Sequence, residues 1–265
     1  MTPSLTAEQC RSLEKALAYL RLKADLALAP ELPHFAGKPY PLGRCNEIRN
    51  KVFDLWCEAL QQQDEMAFQP IREFLQQGGS LTKVWGSLRD EYFQNAIQVG
   101  DWYVDVANDT VNPNKPRVEI CQMETSGFGP ITSFEQFVAI ARTYWEVEIY
   151  RNDVVPALAP FLPLLCVNSQ GASWLAAAND DMLALATQSG FALSERVLQE
   201  MPPVSESMMS RWRQKLSQLA SESPFYERQY DAQVYCQRYR KAGKHDSVVF
   251  RDQAVRAYMQ LAHGG

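Results

Sequence analysis

The sequence predicts an α+β fold: a small antiparallel sheet over about residues 82–122, helices flanking it, and a mainly helical C-terminal part. Three observations predict it. Apolar residues recur at helical spacing before residue 80, β-branched and aromatic residues cluster in short runs from Leu81 to Met123, and helical spacing returns from Ser133 onward. A chain of 265 residues, 46% hydrophobic and 22% charged, is long enough to bury a sizeable core, which excludes disordered, collagen-like and small disulfide-scaffold classes.

The first helix is expected over residues 6–29. Thr6-Ala-Glu-Gln9 has the spacing of a capping box, Leu13, Leu17, Leu20 and Ala24 share one face, and the Pro30 to Pro33 segment stops it. A turn-rich link runs from Pro33 to Gly43. Ile48, Val52, Leu55, Trp56 and Ala59 then mark a second helix with Cys45 in its first turn. Phe68, Ile71, Phe74 and Leu75 mark a short third helix that ends at Gly78-Gly79. Four strands follow, at Thr82–Leu88, Tyr92–Val99, Trp102–Ala107 and Arg117–Gln122. Arg89-Asp90 and Gly100-Asp101 separate the first three, and Gly100-Asp101 suits a tight hairpin. Period-two alternation puts Asn95 on one face with Phe93, Ile97 and Val99, and sets Trp102, Val104 and Val106 opposite Tyr103 and Asp105.

A second capping box at Ser133-Phe-Glu-Gln136 begins a helix expected to run to about Val155. An Ala-rich helix is expected after Ser173, and others at Ser194–Met201, Ser205–Ser221, Tyr226–Lys241 and Val248–Leu261. The chain shows no internal repeat, and the one linker-like stretch is Gln199–Ser207 with Pro202-Pro203. It is therefore divided into a body, residues 1–200, and a helical extension, residues 201–265, packed on that body as a single domain, with a separate C-terminal domain as the alternative.

The formal charge of −5 gives no reason to expect a nucleic-acid or membrane-surface protein, since both usually carry a basic field. The charge is uneven: residues 206–265 hold ten Lys/Arg against six Asp/Glu, a balance of +4, so residues 1–205 carry −9. Tyr226, Tyr230, Tyr235 and Tyr239 interleave with Arg228, Arg238, Arg240, Lys241 and Lys244. Their i, i+4 spacing favours packing onto the body over nucleic-acid binding. Residues 1–8 lack the pattern of a signal peptide, and the most apolar window, Pro156–Val167, is shorter than the roughly 20 residues that span a bilayer. The cysteines at 10, 45, 57, 121, 166 and 236 form neither a CxxC pair nor a disulfide framework, so a reducing cytoplasm is the expected location.

Chemistry is expected between Pro39 and Glu124. The order of a helix-start cysteine in Tyr40-Pro-Leu-Gly-Arg-Cys45-Asn-Glu-Ile, then a hairpin in Gln98-Val-Gly-Asp-Trp-Tyr-Val-Asp105 that ends in an acid, resembles the papain-like and transglutaminase-like cysteine hydrolases. The resemblance covers about 80 residues. It implies Cys45 as nucleophile, activated by the helix dipole and a basic partner, with a histidine and then Asp105 on the following strands. Gln94-Asn95 stand where the histidine belongs, and an amide takes no proton at neutral pH, so Asn95 would orient and not act as base. Of the three histidines, His34 has the one plausible route to Cys45.

Other side chains complete the candidate cleft. Arg44 suits a thiolate or a substrate charge; Trp85, Gln94, Gln98 and Tyr103 suit its walls; Asn108 and Asp109, at the exit of the third strand, suit a substrate or, with Asp105, a hard cation such as Mg²⁺. The bland readings are a buried Cys45, a solvated sheet face, and an Asx-turn at Asn108-Asp109-Thr110. Thr125-Ser-Gly-Phe-Gly-Pro130 precedes a helix but lacks the spacing of either phosphate-binding glycine loop.

The leading expectation is a cysteine-dependent acyl-transfer or amide/ester hydrolase-like protein, catalytically altered, acting on a small-molecule or peptide substrate. The alternative is a non-catalytic binding or regulatory protein holding a partner on the same scaffold, and a carboxylate-metal enzyme using Asp105 and Asp109 comes third. The leading reading implies no cofactor, no metal and no membrane.

Overall fold

In the computed structural model, which describes residues 5–62, 64–176, 179–219 and 223–263 and side chains as far as 261, the chain divides into two units, Met1–Pro130 and Ile131–Gly265. The division falls at 130/131 and not in the Pro202-Pro203 stretch. A mixed α+β architecture holds in both units.

The first unit begins with α1 (Ala7–Glu31), whose N-terminus is closed by the expected capping box: Gln9 N–H donates to Thr6 Oγ1 at 3.2 Å and Thr6 N–H to Gln9 Oε1 at 2.8 Å. Thr6→Ala is expected to lower the unfolding free energy by about 1 kcal/mol. Urea titration of the two proteins measures this, and an unchanged midpoint would show that the cap is not needed. A two-strand hairpin, β1 (His34–Phe35) and β2 (Lys38–Pro39), leads to α2 (Cys45–Gln61) and α3 (Gln69–Gln76).

The sheet follows as β3 (Leu81–Leu88), β4 (Tyr92–Val99), β5 (Trp102–Asp105) and β6 (Glu119–Gln122), and after α4 (Met123–Ser126) comes the short β7 (Phe128–Gly129). All pairs are antiparallel in the order β6-β5-β4-β3-β7. Arg89 and Asp90 both take the left-handed backbone that a tight, right-twisted hairpin requires. Gly86 has no side chain because a Cβ there would collide with the Gly129 carbonyl, so β7 can close against β3.

Paired residues share a face. Ile97 opposite Val104 and Val99 opposite Trp102 place Asn95, Ile97, Val99, Val104 and Val106 on the same side. That side packs against α1, α2 and α3 through Leu17, Leu20, Val52, Trp56, Phe68 and Ile71, all but fully buried. The opposite face carries Gln94, Ala96, Gln98, Tyr103 and Asp105. Burying the apolar face is what holds α2 over β4, at about 25 cal/mol per Å² of apolar surface.

The second unit holds α5 (Phe134–Tyr144), a three-stranded antiparallel sheet β8 (Glu148–Arg151), β9 (Leu164–Val167) and β10 (Ser173–Leu175) in the order β10-β9-β8, then α6 (Asp180–Gln188), α7 (Ala192–Glu200), α8 (Glu206–Ser217), α9 (Ala232–Lys241) and α10 (Val248–His263). This corrects two expectations. The helix from Ser133 stops at Tyr144, because Glu146 adopts a left-handed backbone and Val147 and Ile149 are buried on either side of exposed Glu148, a period-two pattern. Ser173–Leu175 is a strand paired with β9, and not the start of an Ala-rich helix. The 154–161 stretch with its prolines forms buried turns, tied by Asn152, which donates to Leu162 O at 2.8 Å and accepts from Val155 N–H at 2.9 Å.

The expected Tyr226–Lys241 helix begins only at Ala232, and the expected end of the preceding helix at Ser221 lies outside the described residues. Tyrosines 230, 235 and 239 pack edge to face, Tyr226 donates to Ala257 O at 2.8 Å, and Arg240 donates to Gly190 O and Glu195 at 2.7 Å. These residues bind the helices of the second unit to one another. Among the described residues no helix is long and apolar enough to cross a membrane.

Candidate functional site

Cys45 is the first residue of α2, and Asn95 lies at the middle of β4 on the face that α2 covers. Asn95 Nδ2 donates to Cys45 Sγ at 3.3 Å, so the two residues singled out from the sequence do meet. Asn95 Oδ1 accepts from Arg49 Nη2 at 2.8 Å, one turn further along α2, and the same nitrogen donates to Asn46 Oδ1 at 3.0 Å. Burial pushes the Cys45 thiol above its ordinary value; the Asn95 hydrogen bond pulls it down and the Asp105 and Glu47 charges push it up again. The thiol at this helix start therefore stays protonated at neutral pH, and its neighbour is an amide that donates.

Asp105 does not join them. It follows Val104, the partner of Ile97 in the register, so its side chain leaves β5 on the other face of the sheet from Ile97 and Asn95. There its Oδ2 accepts from Gln94 Nε2 at 2.7 Å and Tyr103 OH at 3.1 Å, and its Oδ1 from Ala107 N–H at 2.8 Å. Burial pushes the carboxyl up to about 6, against those three donors, which lower it. Burial, and then the Asp105 charge, push the Tyr103 phenol above its ordinary range. Gln94 relays between the faces, because its Oε1 accepts the Asn95 main-chain N–H at 3.0 Å. Asp105 therefore orients Gln94 and has no base to support.

Asp109 is held by a different cation. Arg21, fully buried on α1, donates to Asp109 through Nη1 at 2.8 Å and Nη2 at 3.2 Å, to Val106 O at 2.8 Å, and through Nε to Asp25 at 2.7 Å. Tyr40 OH donates to the same Asp25 at 2.6 Å and Arg117 Nη1 at 3.0 Å. Burial lowers the Arg21 guanidinium, and its bonds to Asp109 and Asp25 outweigh that and raise it; burial and Asp25 raise Tyr40. The cluster lines a cavity of ≈ 250 Å³ with Leu22 and Pro41. Each Asp109 oxygen already accepts from Arg21, and among the described residues no three or more His, Cys, Asp or Glu side chains gather where they could hold a metal ion. The geometry lends the Asp105–Asp109 metal reading no support.

The remaining predicted residues have local partners. His34 is exposed in the β1–β2 hairpin, and its link to α2 is its carbonyl, which accepts from Arg44 Nη2 at 2.6 Å. Arg44 also donates to Glu47 at 2.7 Å and lies 4.9 Å from the Phe35 ring, so it fastens the hairpin to the helix. Trp85, half-buried opposite Asn95, stacks on Phe93 at 5.0 Å. Gln98 donates to Gly100 O at 2.9 Å and Asn108 to Pro116 O at 3.0 Å; Thr110 Oγ1 donates to Ala107 O at 2.7 Å, so the 108–110 segment is a short helical turn bonded by its own neighbours.

No protein-family model, no curated protein and no solved structure matches the chain. The likeness to cysteine hydrolases thus rests on the residues of the chain alone.

Two cations escaped the reading of the sequence, Arg49 and Arg21. Each had a signal: both fall within helical apolar stripes, Arg49 three residues before Val52 and seven before Trp56, Arg21 beside Leu17, Leu20 and Ala24. A charge on a buried stripe needs a partner, and that need points to a site.

Proposed function

We propose that the protein is a non-catalytic binding or regulatory protein that keeps a cysteine-hydrolase-like arrangement and uses the junction of α2 and β4 to hold a small-molecule or peptide partner. One observation carries this reading: the group against Cys45 Sγ is the Nδ2 of Asn95, a donor, where hydrolysis would need an acceptor for the thiol proton. The raised thiol and the turning of Asp105 to the far face support it. The altered acyl-transfer reading keeps one favourable feature, the position of Cys45 at a helix N-terminus, which lowers thiol pKa values where solvent is admitted.

Site-resolved alkylation separates the two. On the non-catalytic reading the rate at Cys45, followed against pH with iodoacetamide, rises with a midpoint above about 8.5, the ordinary thiol value. A midpoint below about 7.5 would mark an activated nucleophile and overturn the proposal.

A further inference from the structure

The cavity over Arg21 has a closed polar floor. It measures ≈ 250 Å³, and its lining comes from α1, the Tyr40-Pro41 link and residues 109 and 117, with nothing from α2 or β4. Asp25 Oδ1 accepts from Arg21 Nε and Tyr40 OH, Asp25 Oδ2 from Arg117 Nη1, and both Asp109 oxygens from Arg21. The two carboxylates are thus committed inside the protein, and a cationic ligand would have to compete with a fully buried guanidinium for them.

The rim is open. Arg117 is half-exposed and spends one nitrogen on Asp25: its Nε stands 4.0 Å from Asp109 Oδ2, outside hydrogen-bond range, and its Nη2 makes no hydrogen bond among the described residues. Beside these spare donors the cavity wall is apolar, made by Leu22, Ala29 and Pro41. Leu22 is 45% exposed and begins a stripe on the outer face of α1 that takes in Leu26, 71% exposed, and Tyr19, 59% exposed, at i+4 and i−3. Large apolar side chains left uncovered on one stripe mark a contact surface, and the cavity next to them supplies a seat of defined size. The local charge favours an anion. Arg21, Arg117 and Lys23, whose Nζ lies 4.7 Å from the centre of the Tyr19 ring, outnumber Asp25 and Asp109.

We infer that this cavity binds an aliphatic carboxylate. Arg117 takes the carboxylate with the donors it does not use internally, and the hydrocarbon chain lies against Leu22, Ala29 and Pro41. A guanidinium holds a carboxylate in a directed, charge-assisted pair, whereas a neutral head group leaves its charge unmatched and a cationic one meets repulsion. The site is independent of Cys45 and of the binding reading at the junction of α2 and β4.

Calorimetric titration of the full-length chain with octanoate, 1-octanol and octylammonium separates head group from chain. Octanoate should bind about tenfold more tightly than octanol, the size of one charge-assisted hydrogen bond, and octylammonium more weakly than either. In Arg117→Gln the octanoate affinity falls to that of octanol while octanol is unaffected, and Arg117→Lys keeps most of the preference. Leu22→Ser loosens octanoate and octanol by a similar factor. Both positions are exposed, and Arg21 still holds Asp25 and Asp109 when Arg117 is replaced. Should Arg117→Gln fail to fold, the three head groups compared on the unaltered protein decide alone. Equal affinities for octanoate and octanol, no binding of octanoate, or octanoate binding that Arg117→Gln leaves unchanged would overturn the site. So would a chain that sediments as a dimer and becomes monomeric in Leu26→Ser, which would give the stripe to a second copy.

Discussion

Replacing Arg21 by methionine is expected to lower the unfolding free energy by about 3–5 kcal/mol, the range for removing one partner of a buried ion pair. The size follows from what is left behind. Asp109 would lose both of its Arg21 hydrogen bonds and keep only the half-exposed Arg117, whose Nε is 4.0 Å away. Asp25 would lose its 2.7 Å partner but retain Tyr40 and Arg117, so the penalty concentrates at Asp109. Val106 O would also be stripped of its donor, and with it the tie between α1 and the segment that leaves β5. Adding Asp109→Asn to Arg21→Met removes the stranded charge and should recover part of the loss. Equilibrium urea unfolding of the single and double variants measures both, and a cost below about 1 kcal/mol for Arg21→Met would show that the cluster is a surface-type pair of little consequence.

Asp105→Asn is expected to remove a pH dependence that the parent protein shows between about pH 4 and pH 6. The carboxyl titrates at about 6 in the fold and at 3.8 as an ordinary aspartate, because burial disfavours its charged form. In that window the folded state holds a proton that the unfolded state has lost, so unfolding free energy falls as pH rises. At 1.36 kcal/mol per unit the fall amounts to about 3 kcal/mol, complete once the pH passes the folded value. The stabilising contribution is therefore full below about pH 4 and lost above about pH 6. Other carboxylates, Glu135 and Glu195 among them, are lowered by their bonds and act in the opposite direction, so the quantity to measure is parent minus variant. That difference should decline with pH; a difference that is flat or that climbs would mean that Asp105 is not held in an apolar setting.

Much of the first unit was legible in the sequence. Thr6 and Gln9 announced the start of α1, Ile48, Val52 and Trp56 the face of α2, and Arg89-Asp90 and Gly100-Asp101 the two hairpins, because each of these rests on contacts within a few residues. The second sheet was not legible. Val147 and Ile149 are too short a run to show alternation against the long apolar stretch that follows, and the strand Glu148–Arg151 is defined by pairing with Leu164–Val167. The site shows the same division. That Cys45 begins a helix, and that Asn95 shares a face with Ile97, follow from capping and period-two alternation. That Asn95 Nδ2 reaches Cys45 Sγ depends on how α2 lies across β4.

The sequence by itself determined the α+β class, the elements around the site and the want of a histidine on the hairpin, all consequences of local periodicity and residue chemistry. Only the tertiary structure decided who meets whom. It paired Asp109 with Arg21 from a helix 88 positions away, gave Asp105 to Gln94 and Tyr103, and left Arg49 buried without an acid. The physical reason is that a buried charge or thiol takes its properties from its neighbours in space, and packing of the apolar faces chooses those neighbours.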